Sequence, residues 1–236
     1  MNTLPVLPFR RLKLSDKITV RLARQQAVMV LVPHPDDETL GCGLLIARLM
    51  RAGVRVVIVA LTDGDASHPG SRRWPPAALA KLRRAELRRA LDRLGAGRCL
   101  VRFMGCHDGR LAEEGRKLPI AALCHSLNVG LILASSHRDH HPDHQACFSI
   151  GSAVARRLGV PLVSYAVWSR LDDTRHRLEC DPGKSAKAWA AAAHRSQVSD
   201  FINDAPDGFR LSTHALRQFL GGPERYVKTT NLMIKR

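Results

Sequence analysis

Two short clusters of ionisable residues carry most of the chemistry available to this chain. The first, Val32-Pro33-His34-Pro35-Asp36-Asp37-Glu38, sets one imidazole and three carboxylates within five positions. The second, His137-Arg138-Asp139-His140-His141-Pro142-Asp143-His144, repeats that grammar later in the chain. Metal-assisted hydrolysis needs such groups: imidazole and carboxylate ligands for a divalent ion, and a spare carboxylate to handle a proton. His34 and Asp37 stand at i, i+3, as do His141 and His144. On a turn or a first helical turn such pairs share a face and converge on one point. Asp36 and Asp37 are adjacent, so their side chains diverge, and one can ligate while the other reaches the metal's water. His34, Asp37 and His144 would supply three protein ligands and leave the open position that a catalytic zinc site keeps. Iron or cobalt suits the same donors. Plainer uses exist for single members. Asp36 could cap a helix, and His137 or His140 could be a solvated loop histidine.

The elements around the clusters suit this use. Ala27–Val32 reads as a buried strand that ends at the first cluster, and Thr39–Arg51 as a helix packed into the core. Arg55–Leu61 and Leu100–Met104 read as further strands, and Val129–Ala134 as one that ends at the second cluster. Between them lie helical patterns at Pro76–Leu94, Leu118–Leu127 and Pro142–Leu158, with Pro161–Trp168 as a fifth strand. Continuously apolar strands alternating with helices predict a Rossmann-like, doubly wound α/β fold with a mostly parallel sheet covered on both faces. Both clusters then sit at carboxyl ends of strands, the edge where open α/β sheets bind ligands. Beyond Trp168 the pattern weakens. Ser185–Ser196 reads as a helix and the remainder as loop.

The chain has 236 residues, enough for one domain over residues 25–236 preceded by a basic arm at 1–24. The arm carries Arg10, Arg11, Lys13 and Lys17, without the apolar core or cleavage site of a signal peptide. No apolar run approaches the roughly 20 residues that span a bilayer. The six cysteines are scattered with no CxxC pair, which fits reduced thiols in a cytoplasmic protein. The net charge of +16 suggests an anionic partner: a phosphate-bearing or lipid-linked substrate, a membrane surface touched peripherally, or nucleic acid. A solvated arginine-rich helix face explains the charge equally well. A basic nucleic-acid binder with a vestigial metal site is the rival class. Aromatics are only 5% of the chain, too few for a base-stacking platform, so no specific nucleic acid is expected.

His34-Pro35-Asp36-Asp37-Glu38 with His141-Pro142-Asp143-His144 resembles the PIG-L/LmbE-like zinc-dependent de-N-acetylase family. Arg83-Arg84-Ala85-Glu86-Leu87, Asp108-Gly109, Tyr165–Ser169, Lys187 and His194-Arg195-Ser196-Gln197 extend the likeness over about Val30 to Gln197. The resemblance implies a Rossmann-like fold and hydrolysis of an N-acetyl group from an amino sugar or glycoconjugate containing N-acetylglucosamine. A different acyl amide or a thiol conjugate is the alternative substrate. By motif position His34, Asp37 and His144 match the zinc ligands and Asp36 the general base. His141 matches the group that stabilises the oxyanion and protonates the amine, and Asp143 the residue that orients His141 and raises its pKa. Arg83 and Asp108 match substrate contacts, and Glu38 is left as a supporting or capping residue. Asp139 stands where some members place a tyrosine.

Overall fold

The computed structural model describes residues 26–169, 177–178 and 184–228. The basic arm and Cys180 lie outside the described residues. In chain order the elements are β1 (Ala27–Val32), α1 (Asp37–Arg51), β2 (Arg55–Thr62), α2 (Pro76–Arg93), β3 (Leu100–Cys106), α3 (Leu111–Glu114), α4 (Ile120–Ser126) and β4 (Val129–Ser135). Then follow α5 (Pro142–Leu158), β5 (Leu162–Tyr165), β6 (Arg177–Leu178), α6 (Lys184–Ala191), α7 (Arg195–Val198), α8 (Thr213–Gly221) and β7 (Glu224–Lys228).

The strands form one sheet in the order β3-β2-β1-β4-β5-β7-β6. Its first five members are parallel, and β7 runs antiparallel to β5 and β6. The chain winds outward from β1 through β2 to β3, then crosses to β4 on the other side of β1. Strand order therefore reverses between β1 and β4, and a crevice opens at their carboxyl ends.

Each central strand feeds two cores, because successive side chains alternate in direction. Val28, Val30 and Val32 pack with Leu45, Ile46, Leu87 and Leu91 of α1 and α2. Ala27, Met29 and Leu31 pack on the opposite face with Cys124 of α4 and Cys147 and Ala155 of α5. This is why the strands read as unbroken apolar runs.

Three features depart from the sequence expectation. The helix expected over Ser185–Ser196 is two pieces, α6 and α7, separated by a turn at Ala192–His194. The tail expected as loop contains α8 and the antiparallel β7. Finally, α1 is kinked at Cys42, whose φ and ψ of −146° and 20° are not helical. Beyond the kink, the N–H groups of Leu44 and Leu45 donate to the Glu224 carboxylate at 2.8 and 3.1 Å. An acid from the last strand thus caps a helix start created inside α1. The five described cysteines are free thiols, as expected.

Candidate active site

The loop from β1 into α1 and the loop from β4 into α5 meet at the crevice. The His34 N–H donates to Asp37 Oδ2 at 3.0 Å, which closes the first cluster into a turn. The same Oδ2 lies 3.2 Å from His34 Nδ1 and 3.2 Å from His144 Nε2. Neighbouring ligands on a tetrahedral zinc are about 3.3 Å apart when the bonds are about 2.0–2.1 Å. One carboxylate oxygen therefore stands at tetrahedral-ligand spacing from each of two imidazole nitrogens, all on buried side chains. The ring nitrogens of His34, His141 and His144 also gather within 4.8 Å of one another, a looser group. The His141 ring meets His34 edge-on, 4.7 Å between centroids. The 3.2 Å spacing favours Asp37 as the third donor and leaves His141 beside it.

Both candidate histidine ligands are held from behind. His144 Nδ1 contacts Asp139 Oδ2 at 2.9 Å, and Asp139 also accepts the N–H groups of Val167 and Ser169. His34 Nε2 contacts Asp143 Oδ2 and Asp108 Oδ1, each at 3.1 Å. Carboxylates on the distal nitrogen fix the tautomer and orientation of metal-binding imidazoles. Burial pulls both imidazoles down, but the surrounding carboxylates outweigh it. They hold His34 well above its ordinary range and His144 up at about 9. Burial pushes Asp37 up, yet the charge of His144 and its bonds to both histidines keep it far below the usual carboxylate range. A pocket that favours positive charge this strongly suits a divalent cation.

Asp36 is built differently. It occupies the position before α1, but its side chain caps nothing. Its φ of 152° is a strained conformation for a residue other than glycine. Its N–H donates to Glu38 Oε2 at 3.0 Å. Its carboxylate faces the Arg83 guanidinium at 3.3 Å, and Arg83 also donates to the carbonyls of Gly64 and Pro35. Burial pushes Asp36 up to about 6, although Arg83 opposes the shift.

The structure brings His34, Asp36, Asp37, Asp108, His141, Asp143 and His144 to one place, with Arg83 reaching Asp36 from α2. Two expected relationships change. Asp143 does not turn its carboxylate to His141: it accepts from His34, Gly109 and Leu111. Only its backbone N–H reaches His141, donating to Nδ1 at 3.2 Å. The charge of Asp143 does push the His141 pKa up, as expected, but burial first and then the charges of His34 and His144 outweigh it and leave the pKa lowered. Arg83, expected at the substrate, is 3% exposed and turned to the Asp36 loop. In the sequence Asp139 stands out only as a departure from the family pattern. Its place five residues before His144, on the loop leading into α5, was the available signal for its role. Asp108 lies between the histidines and a cleft of about 830 Å³, whose walls include Asp65, His68, Trp74, Lys81 and Arg84.

The family model for PIG-L, described as GlcNAc-PI de-N-acetylase, matches residues 29–155, more than half the chain. The chain belongs to the PIG-L family. The matched region begins in β1 and ends in α5, so it encloses both loops of the site. Among curated relatives of this PIG-L chain, a 1D-myo-inositol 2-acetamido-2-deoxy-alpha-D-glucopyranoside deacetylase of Kineococcus radiotolerans is 36% identical over 78 residues. That match covers 32% of this chain and 22% of the relative. A diacetylchitobiose deacetylase of Thermococcus kodakarensis is 28% identical over 153 residues, 63% of this chain and 56% of the relative. The chain thus spans a fifth to about half of these two proteins' length. The N,N'-diacetylchitobiose deacetylase structure from Pyrococcus horikoshii superposes with a TM-score of 0.69 at 19% identity, over 92% of this chain and 90% of that one, and shares its fold.

Proposed function

We propose that this protein hydrolyses the N-acetyl group of a substrate containing N-acetylglucosamine, giving acetate and a free amine, with a zinc ion held by His34, Asp37 and His144. The observation that carries the reading is the 3.2 Å spacing of Asp37 Oδ2 to both imidazoles, beside a buried carboxylate pushed up to about 6. The deacetylases among its curated relatives support the reaction class.

Zinc held by His34, Asp37 and His144 would supply Lewis acidity to the acetamide carbonyl and would lower the pKa of a water toward 7. The Asp36 carboxylate accepts that water's proton as its oxygen attacks the carbonyl carbon. A base with a pKa near 6 is mostly ionised at neutral pH and still holds a proton usefully. When the C–N bond breaks, Asp36 returns the proton to the departing nitrogen. His141 acts as a neutral donor: its Nδ1 accepts from Asp143, so the ring proton is on Nε2. That N–H stabilises charge developing on the carbonyl oxygen. Asp139 and Asp143 keep the two histidine ligands oriented, and Arg83 acts on the substrate through Asp36. Asp108 is placed to accept a sugar hydroxyl at the mouth of the cleft. The net charge of +16, rather than the cleft wall, where Arg84 is paired with Asp63 beside Asp65, supports an amino sugar whose other substituent carries negative charge.

The test is acetate release from N-acetylglucosaminyl substrates that are free, phosphorylated, carboxylate-bearing or lipid-linked, with and without a chelator. Chelator-sensitive release is expected, greatest for the anionic members. No release from any member, or release indifferent to chelator and to Asp36→Asn, overturns the proposal. Preference for neutral substrates overturns only the anionic part.

A further inference from the structure

The motif His194-Arg195-Ser196-Gln197 lies far from both metal-ligand clusters in sequence and does not touch the candidate ligand atoms. One of its polar anchors, His194, nevertheless ends on the residue that holds the Asp36 backbone, and the other, Ser196, ends on the helix that carries Arg83. His194 is 1% exposed, and its Nε2 contacts Glu38 Oε1 and Thr39 Oγ1, each at 3.2 Å. Its Nδ1 finds no hydrogen-bond partner, so all its polar attachment runs through that one nitrogen. Thr39 Oγ1 donates to the same Glu38 oxygen at 2.6 Å. The other oxygen of Glu38 accepts the Asp36 N–H. Glu38 is therefore gripped on one side by the C-terminal segment and on the other grips the strained residue. Two positions on, Ser196 donates its N–H and its hydroxyl to Glu86 at 2.9 and 2.6 Å. Glu86 lies one turn from Arg83 on α2, and Arg83 faces the Asp36 carboxylate.

We infer that His194 is a positioning residue for Asp36, acting through Glu38 to hold its backbone at φ 152° and so aim its carboxylate at the reacting centre. The reason is mechanical. A positive φ at an aspartate persists only where the surroundings over-determine it. Here the Glu38 carboxylate takes the Asp36 N–H, while the Asp36 carbonyl accepts from the N–H groups of Thr39 and Leu40; the far oxygen of Glu38 is held jointly by the Thr39 hydroxyl and by His194, which contacts both. The inference rests on Asp36 being the base of the preceding section, but the backbone angle can be read without any activity.

The experiment pairs crystal structures with kinetics for the wild type, His194→Ala and His194→Gln; the amide of the latter can still donate to Glu38. The inference expects φ at Asp36 to leave its positive value in His194→Ala. It also expects kcat to fall by about 10²-fold, the scale of a displaced reacting group, with KM and bound zinc unchanged. His194→Gln should restore both angle and rate. An unchanged Asp36 geometry in His194→Ala overturns the inference, whatever happens to the rate. So does a rate loss that follows zinc loss or KM, or a His194→Gln variant no better than alanine. If His194→Ala does not fold, His194→Asn, too short to reach Glu38, replaces it with the same criteria. A wild-type protein that releases no acetate overturns the proposed function instead, and the crystal structures still decide this inference.

Discussion

Two buried carboxylates serve the same helix in opposite ways. Glu224 meets α1 at its kink and has every acceptor direction filled. It receives Leu44 N, Leu45 N, Lys187 Nζ at 2.9 Å and the Tyr226 hydroxyl at 2.7 Å. Asp36 stands just before the same helix, and its carboxylate has one ion-pair partner within 4 Å among the described residues, Arg83 at 3.3 Å. A carboxylate saturated by fixed donors is a joint in the framework. One left short of donors in a dry site gains proton affinity instead. Burial alone does not separate the two uses; the number of donors does.

The comparison can be broken at several points. Asp36→Asn should produce the largest effect, lowering kcat by about 10²–10⁴-fold if general-base catalysis is lost. Its denaturant midpoint should stay close to that of the wild type; a collapse of stability would mean that Asp36 is also a joint. The wild-type rate should fall about tenfold per pH unit below about pH 6, as the raised Asp36 carboxyl takes up its proton, and level off above it. Glu224→Ala should do the reverse of Asp36→Asn. Leaving Lys187 buried without its partner costs about 3–5 kcal/mol, measurable in urea unfolding, while activity per folded molecule is kept. Tyr226→Phe removes one of the four donors and should cost about 1.5–3 kcal/mol, the range for a bond to a charged acceptor. Asp139→Ala is the smallest, weakening zinc binding by about 10–100-fold in a chelator competition. An unaltered zinc affinity there would remove Asp139 from the support of His144.

Much of the site was legible because its parts are local. His34 and Asp37 are three residues apart, His141 and His144 likewise, and apolar strands place both pairs on one sheet edge. What could not be read joins residues distant in sequence. The Asp143 carboxylate was expected at His141, its near neighbour, and is found at His34, because the pairing of β1 with β4 sets the two loops face to face. Glu38 reads as a plain helix-start acid until His194 arrives from the other end of the chain. The kink at Cys42 had a local signal in the flanking Gly41 and Gly43, but the carboxylate that caps the helix beyond it, Glu224, comes from the far end of the sequence. The strand β7 was missed because Glu224–Lys228 is short and carries charge at both ends, so neither length nor alternation marks it.

The antiparallel β7 also orders events in time. By the point at which His144 has left the ribosome, every candidate zinc ligand exists. Glu38 and the kinked helix still wait for His194 and Glu224, which follow after several seconds of synthesis at roughly 5–20 residues/s. A nascent chain therefore presents its candidate metal ligands first, gains the hold on Glu38 beside Asp36 with His194, and completes the α1 kink only with Glu224 of β7.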